Sequence, residues 1–208
     1  MTKIYLIRHG QSIGNAERVY LGHTNLDLTP LGYSQAEETA KKLSAVPFAA
    51  VYASDLLRAY NTAVPHAKMR GLEVIPSKEL REMYVGEWEG AKVEELLLDE
   101  RFTKGWRENF GLFTFPGGEN VGDASERVYK AVEKIAKEYD GKTVAVVFHA
   151  AALRAFWCKA LDIPKETWAA SVNFPTNASY SVVEYENGRF VCKEYSCDEH
   201  LTNVTKLP

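Results

Sequence analysis

The sequence predicts an α/β protein, a three-layer α/β/α sandwich around a mostly parallel central sheet with an antiparallel edge strand. Three observations carry this. Short apolar runs alternate with amphipathic stretches of helical period, the pattern of successive βα units. The run at 143–148, Thr-Val-Ala-Val-Val-Phe, is almost wholly apolar, as suits a strand covered on both faces of a parallel sheet. Asn187-Gly188 stands between two strand-like runs, and this pair is the strongest signal for a two-residue hairpin, which supplies the antiparallel edge.

Taken in order, residues 3–7 (Lys-Ile-Tyr-Leu-Ile) read as a buried strand. Thr29-Pro30 supplies an N-cap followed by proline at the first helical position, and Leu31, Ala36, Ala40 and Leu43 then follow at helical spacing. Residues 49–53 read as a second strand. Ser54 or Asp55 is expected to cap the next helix, with Leu57, Tyr60 and Val64 facing inward and Pro65 kinking or restarting it. A third apolar stretch spans 72–75, and 93–98 looks helical. Phe102, Trp106, Phe110, Phe113 and Phe115 make an aromatic segment, read as packed core or lid, ahead of a loop at Pro116-Gly117-Gly118. Residues 123–139 form an amphipathic helix stopped near Gly141, and 150–161 form another. Residues 179–185 and 189–195 flank the hairpin turn. One domain over 1–208 is expected, with a cap-like insertion at about 83–122.

Composition excludes several classes. Net charge is −3, without the basic excess of a general nucleic-acid binder. No apolar run approaches the ~20 residues of a membrane span, and the first eight residues are too short an apolar segment for a secretory leader. The three cysteines, Cys158, Cys192 and Cys197, fit no zinc spacing and read as reduced thiols of a cytoplasmic protein. The triplets 177–179 and 203–205 match the N-glycosylation pattern and are taken as chance matches.

In open α/β sheets, ligands bind beyond the carboxyl ends of the strands. Arg8-His9-Gly10-Gln11-Ser12 follows the first strand, with Asn15 close behind. Ser54 and, one turn on, Arg58 follow the second. Arg81-Glu82 lies downstream of the third, and His149 ends the strand at 143–148. Arginines offer bidentate donors to phosphate oxygens. A neutral imidazole attacks phosphorus, a second histidine stabilises the transferring group, and a carboxylate moves the proton. Two histidines and a glutamate are also zinc-type ligands, but the arginines repel a dication and attract an anion, so no metal or other cofactor is expected.

The blocks 4–12 (Ile-Tyr-Leu-Ile-Arg-His-Gly-Gln-Ser), 27–32, 53–63, Leu80-Arg81-Glu82 with Gly86 and Gly90, and Phe148-His149 with Leu153-Arg154 resemble the histidine phosphatase superfamily, also called phosphoglycerate mutase-like. The resemblance covers residues 3 to about 154 in family order. It implies His9 as phosphohistidine nucleophile, with Arg8, Arg58, His149 and Asn15 on the phosphoryl group. It implies Glu82 as general acid, then base. Gln11, Ser12, His23 and Thr24 are further candidates for substrate contact. Departures are Ala150-Ala151 where glycine is usual after the second histidine, Gln11 for glutamate and Asn25 for aspartate. Alanine would be strained if that backbone had φ > 0.

The expected function is therefore a metal-independent phosphatase acting on a small phosphorylated metabolite. A mutase asks for an extra basic cap, and between Glu82 and His149 chiefly Lys104 and Arg107 are placed to reach a pocket. A non-catalytic phospho-ligand binder is the alternative from another class. A homodimer through the hairpin edge follows from edge-strand logic alone.

Overall fold

The computed structural model describes residues 1–205. Six strands form one sheet in the order β3-β2-β4-β1-β5-β6. β1 (Thr2–Arg8), β2 (Phe48–Ser54), β3 (Val74–Ser77) and β4 (Thr143–Phe148) are parallel; β5 (Tyr180–Glu186) runs against β1, and β6 (Arg189–Cys197) returns along β5. The turn between them has positive φ at both Asn187 and Gly188, which fits the right-handed twist of the two strands. The helices are α1 (Ile13–Ala16), α2 (Pro30–Lys42), α3 (Leu57–Lys68), α4 (Val93–Leu96), α5 (Val121–Glu138), α6 (Ala150–Ala160) and α7 (Trp168–Ser171).

β4 shows how the layers arise. Val144, Val146 and Phe148 pack with α5 and α6 residues such as Val128, Val132 and Phe156 on one face. Ala145 and Val147 pack on the other, with Ala59, Ala63 and Ala67 of α3. Each Val or Phe buried this way contributes about 1.5–3 kcal/mol. A separate aromatic cluster, with Trp88, Phe102, Trp106, Phe110 and Phe115 at its centre, fills the segment between Glu82 and α5 and packs onto α6 through Ala151 and Ala155. Residues 101–106 within it form a single π-helical turn. Gly86 is required there: its φ is +55°, and a Cβ would lie 2.2 Å from the Pro116 carbonyl oxygen.

Several local expectations are corrected. Leu56 is the N-cap of α3, without a side-chain cap; Ser54 and Asp55 lie before it. Leu57 and Val64 are exposed, and α3 buries Arg58, Ala59, Thr62, Ala63 and His66 instead. Small residues let the helix lie close to the sheet, which places the larger apolar ones outside. The helix also continues through Pro65 to Lys68 without restarting. α5 begins at Val121, because the Asn120 side chain caps it by accepting from the N–H groups of Gly122 and Asp123. The Thr29 cap and Pro30 start of α2 are as expected. No described helix is long and apolar enough to cross a membrane.

Candidate active site

The parallel strands deliver their carboxyl ends to one edge. His9 follows β1, and its main chain is fixed from three directions: its N–H donates to Phe148 O (3.0 Å), and its carbonyl accepts from Ala178 N (3.1 Å) and Asn177 Nδ2 (3.1 Å). His9 Nδ1 lies 2.7 Å from Gly10 O. A carbonyl only accepts, so Nδ1 carries the proton and Nε2 keeps a free lone pair. Burial, then the Arg58 and Arg8 charges, hold the imidazole well below its usual 6.5. Gly10 serves close approach rather than a bend: its φ is not positive, and a Cβ would sit 2.4 Å from Gly32 O at the start of α2.

Arg8 and Arg58 are buried, and main-chain carbonyls orient them. Arg8 Nη1 donates to Pro175 O (2.5 Å); Arg58 donates to Thr24 O (2.9 Å) and Gly22 O (2.8 Å). Burial lowers both guanidiniums to about 10, so both stay charged at neutral pH. The 22–24 loop is itself tied by Glu89, whose carboxylate accepts from the N–H groups of Gly22, His23 and Thr24 and from the Thr24 hydroxyl (2.6 Å). Burial works to raise the Glu89 carboxyl, but these bonds outweigh it and hold it below its usual value.

His149 ends β4 and is the N-cap of α6, with its ring centroid 5.2 Å from that of His9. Neither of its ring nitrogens has a protein partner. Burial, then Arg58 and His9, push it well below 6.5. Glu82 is buried and does not pair with Arg81, which forks onto Asp55 with two bonds of 2.6 Å. Glu82 Oε1 accepts from Met83 N (3.0 Å) and Ala152 N (2.9 Å), and Oε2 from Ala151 N (3.0 Å). The carboxyl group thus sits on the N-terminus of α6 and accepts from its free N–H groups. Ala150 and Ala151 have ordinary helical backbone, so the strain considered for alanine after His149 does not arise.

Arg8, His9, Ser12, Asn15, Arg58 and Glu82 line one cavity of about 270 Å³. Its upper wall is apolar, built from Tyr20, Phe102, Trp106, Phe115 and Phe174 among others. The aromatic segment is therefore both packed core and pocket wall. His149 lies behind the floor, against His9. Three expected contacts point elsewhere. Gln11 Oε1 accepts from the Thr29 hydroxyl (2.8 Å), His23 Nε2 donates to Glu82 O (2.9 Å), and the Thr24 hydroxyl goes to Glu89. These side chains are already engaged in holding the 9–12 and 22–24 loops and the Glu82 backbone. Lys104 pairs with Glu100 on the surface, whereas Arg107 does reach the cavity. Sequence reasoning missed Arg18, Tyr20, Glu89, Phe174 and Asn177. Asn177 was findable, since β5 is antiparallel and the residues preceding it must meet the carboxyl end of β1. Among the described residues, no group of three or more His, Cys, Asp or Glu side chains is placed to hold a metal ion.

The family model of the histidine phosphatase superfamily (branch 1) matches residues 4–198. Phosphoserine phosphatase 1 of Hydrogenobacter thermophilus is 34% identical over 204 residues, 97% of this chain and 95% of that protein. A metal-independent phosphoserine phosphatase of Arabidopsis thaliana is 34% identical over 212 residues, covering 98% and 85%. The structure of a mycobacterial glucosyl-3-phosphoglycerate phosphatase with VO3 superimposes with a TM-score of 0.87 at 26% identity, over 94% of this chain and 99% of that one. With the match running from β1 into the last strand, the chain belongs to the histidine phosphatase superfamily, branch 1.

Proposed function

We propose that the protein is a metal-independent phosphatase that hydrolyses small organic phosphate monoesters through a phosphohistidine on His9. The observation that carries it is the geometry of His9: buried at the cavity floor beside Arg8 and Arg58, and locked by Gly10 O in the tautomer that leaves Nε2 free. Such an imidazole is a nucleophile beside an anion site.

The substrate phosphoryl group lies between Arg8 and Arg58, with the Asn15 amide as a neutral donor, and an N–H of His149, unpaired behind His9, meets it as it moves onto the His9 ring. His9 Nε2 attacks phosphorus, the P–O ester bond breaks, and the leaving oxygen takes a proton from Glu82. Glu82 Oε2 carries one main-chain bond and Oε1 carries two, so Oε2 is the oxygen with room for that proton. In the second half, Glu82, now a carboxylate, removes a proton from water as the water oxygen attacks phosphorus. The P–N bond breaks, free phosphate leaves, and both groups return to their starting states. The charge of the transferring group is met by donors already in place, which is where most of the acceleration arises. The apolar upper wall suits the organic part of a monoester, while Gln11, His23 and Thr24 keep the loops around it in place.

A mutase must grip a second anionic group. Beyond the phosphoryl floor the cavity's basic side chains are Arg18, already paired with Glu94, and Arg107. The test is one time course with 3-phosphoglycerate and a panel of monoesters, in chelator, with and without a bisphosphoglycerate primer. Phosphate release from several esters, lost in His9→Ala together with the acid-labile phosphoenzyme, is the expected result. Primer-dependent isomer formation identifies a mutase, and loss of activity in chelator overturns the mechanism.

A further inference from the structure

The two N-x-S/T triplets of the sequence meet beside the nucleophile. Asn177 is 1% exposed, which removes it as a glycosylation site. Its Nδ2 donates to His9 O (3.1 Å) and Asn15 Oδ1 (3.0 Å), and its Oδ1 accepts from Thr205 Oγ1 (3.0 Å). Thr205 Oγ1 accepts from Gln35 Nε2 (3.2 Å), which also donates to Asn203 O (2.8 Å). Gln35 Oε1 accepts from Gln11 N (2.8 Å).

Each amide is oriented by a main-chain group that has only one role. The Gln11 N–H only donates, so the Gln35 atom facing it is the oxygen. The His9 carbonyl only accepts, so the Asn177 atom facing it is the nitrogen. The Ser12 N–H donates to Asn15 (3.1 Å), so that face of Asn15 is its oxygen. Thr205 receives the Gln35 proton and has one proton of its own, which goes to Asn177. The donors therefore run in one direction, from Gln11 through Gln35, Thr205 and Asn177 to Asn15. With two donors on its oxygen, Asn15 has its NH2 group left for the cavity it lines.

We propose that Asn177, oriented by Thr205, is a positioning residue that turns the Asn15 amide so that its N–H groups meet the transferring phosphoryl group, while pinning the main chain of His9. The proposal rests on the phosphoryl-transfer reading of the site. Without Asn177, only the Ser12 N–H holds the Asn15 oxygen, and a more loosely held amide offers that oxygen to a dianion for part of the time, which must be repaid from binding.

The test is a double-mutant cycle between Asn177→Ala and Asn15→Ala, read as kcat/KM and as inhibition by inorganic phosphate. Asn177→Ala should lower both kcat/KM and phosphate affinity about tenfold, and twofold or less once Asn15 is already alanine. Thr205→Val should lose about threefold and Thr205→Ser should behave as the parent, because serine keeps the hydroxyl. The Thr205 pair decides the matter if Asn177→Ala fails to fold. Equal losses in both Asn15 backgrounds, unchanged phosphate inhibition, or identical behaviour of Thr205→Val and Thr205→Ser overturn the proposal. A parent enzyme without turnover or phosphohistidine overturns the underlying reading, and the proposal falls with it.

Discussion

Glu82→Gln separates the proposed role of this carboxyl group as proton carrier from its observed place on the N-terminus of α6. Glutamine keeps Oε1, so the bonds from Met83 N and Ala152 N survive. Its Nε2 replaces Oε2 and faces the Ala151 N–H at 3.0 Å, donor against donor. One buried hydrogen bond is lost and two donors are left facing each other, so the fold should weaken by about 1–3 kcal/mol, visible in denaturant melts. The kinetic effect should depend on the leaving group. Loss of general acid–base catalysis costs ~10²–10⁴ in rate, so an alkyl phosphate, whose alkoxide needs a proton, should lose that factor in the first step. p-Nitrophenyl phosphate has a leaving group that departs unprotonated, so its first step should be largely spared while phosphohistidine hydrolysis stalls. Rapid mixing should show a burst of about one nitrophenolate per active site, followed by slow turnover. Equal losses for both substrates without a burst would mean that Glu82 serves only as a cap, and the assignment of the proton to it would be wrong.

Other expectations concern pH and the cap. His9 and His149 are held neutral well below pH 6.5, so kcat/KM should not decline from imidazole protonation between pH 8 and pH 6.5, and the acid limb should lie below that range. His66 is fully buried without a partner for either ring nitrogen, and burial, then Arg70, lowers it to about 3. The unfolded chain then takes up a proton that the folded chain refuses. Stability present above pH 6.5 is lost as pH falls toward 3, about 2 kcal/mol of it between pH 7 and pH 5. Urea midpoints at the two pH values measure this, and in His66→Leu the difference should shrink by that amount. Arg154 donates to the carbonyls of Val172, Trp168 and Ala169 and lies between the rings of Phe110 and Phe174, each 4.3 Å away. Arg154→Met should leave one buried and two half-buried carbonyls without these partners and cost about 2–3 kcal/mol, read as a thermal shift of several degrees. KM for aryl phosphates should rise as well, since Phe174 lines the cavity.

The sheet was legible because each parallel strand is a short apolar run followed by helix-start chemistry, and that rule also located His9, Arg58 and His149. α3 was misread because its inward face carries small and polar residues, Ala59, Thr62 and Ala63, which a search for large apolar residues passes over. Asn177 escaped for a topological reason. A search just past the carboxyl end of each strand finds residues contributed by parallel strands, whereas β5 enters the site from its amino end. Glu89 acts through four bonds to a loop 65–67 residues earlier in the chain, and no local pattern encodes such a partnership. The likeness of Gln11, His23 and Thr24 to ligand-binding residues came from their position beside the site. In the structure their hydrogen bonds go to Thr29, Glu82 and Glu89, which hold the loops around the cavity.

The arginines indicate why this site takes an anion. Arg81 and Arg127 are closed by carboxylates, Asp55 and Glu119, so their charge is neutralised in place. Arg70 and Arg154 are bound by carbonyls, but aromatic rings cover their faces. Arg8 and Arg58 are held by carbonyls, and both line the cavity. A carbonyl fixes the direction of a guanidinium without cancelling its charge, so the positive field survives at the floor of a partly apolar pocket, where it is weakly screened. After burial, that field is the next cause that holds the His9 imidazole below its usual value. A seated dianion offsets it, and by linkage the imidazole then regains basicity. In the proposed mechanism, one pair of arginines thus supplies the affinity for phosphate and acts on a nucleophile whose electron pair strengthens once phosphate is bound.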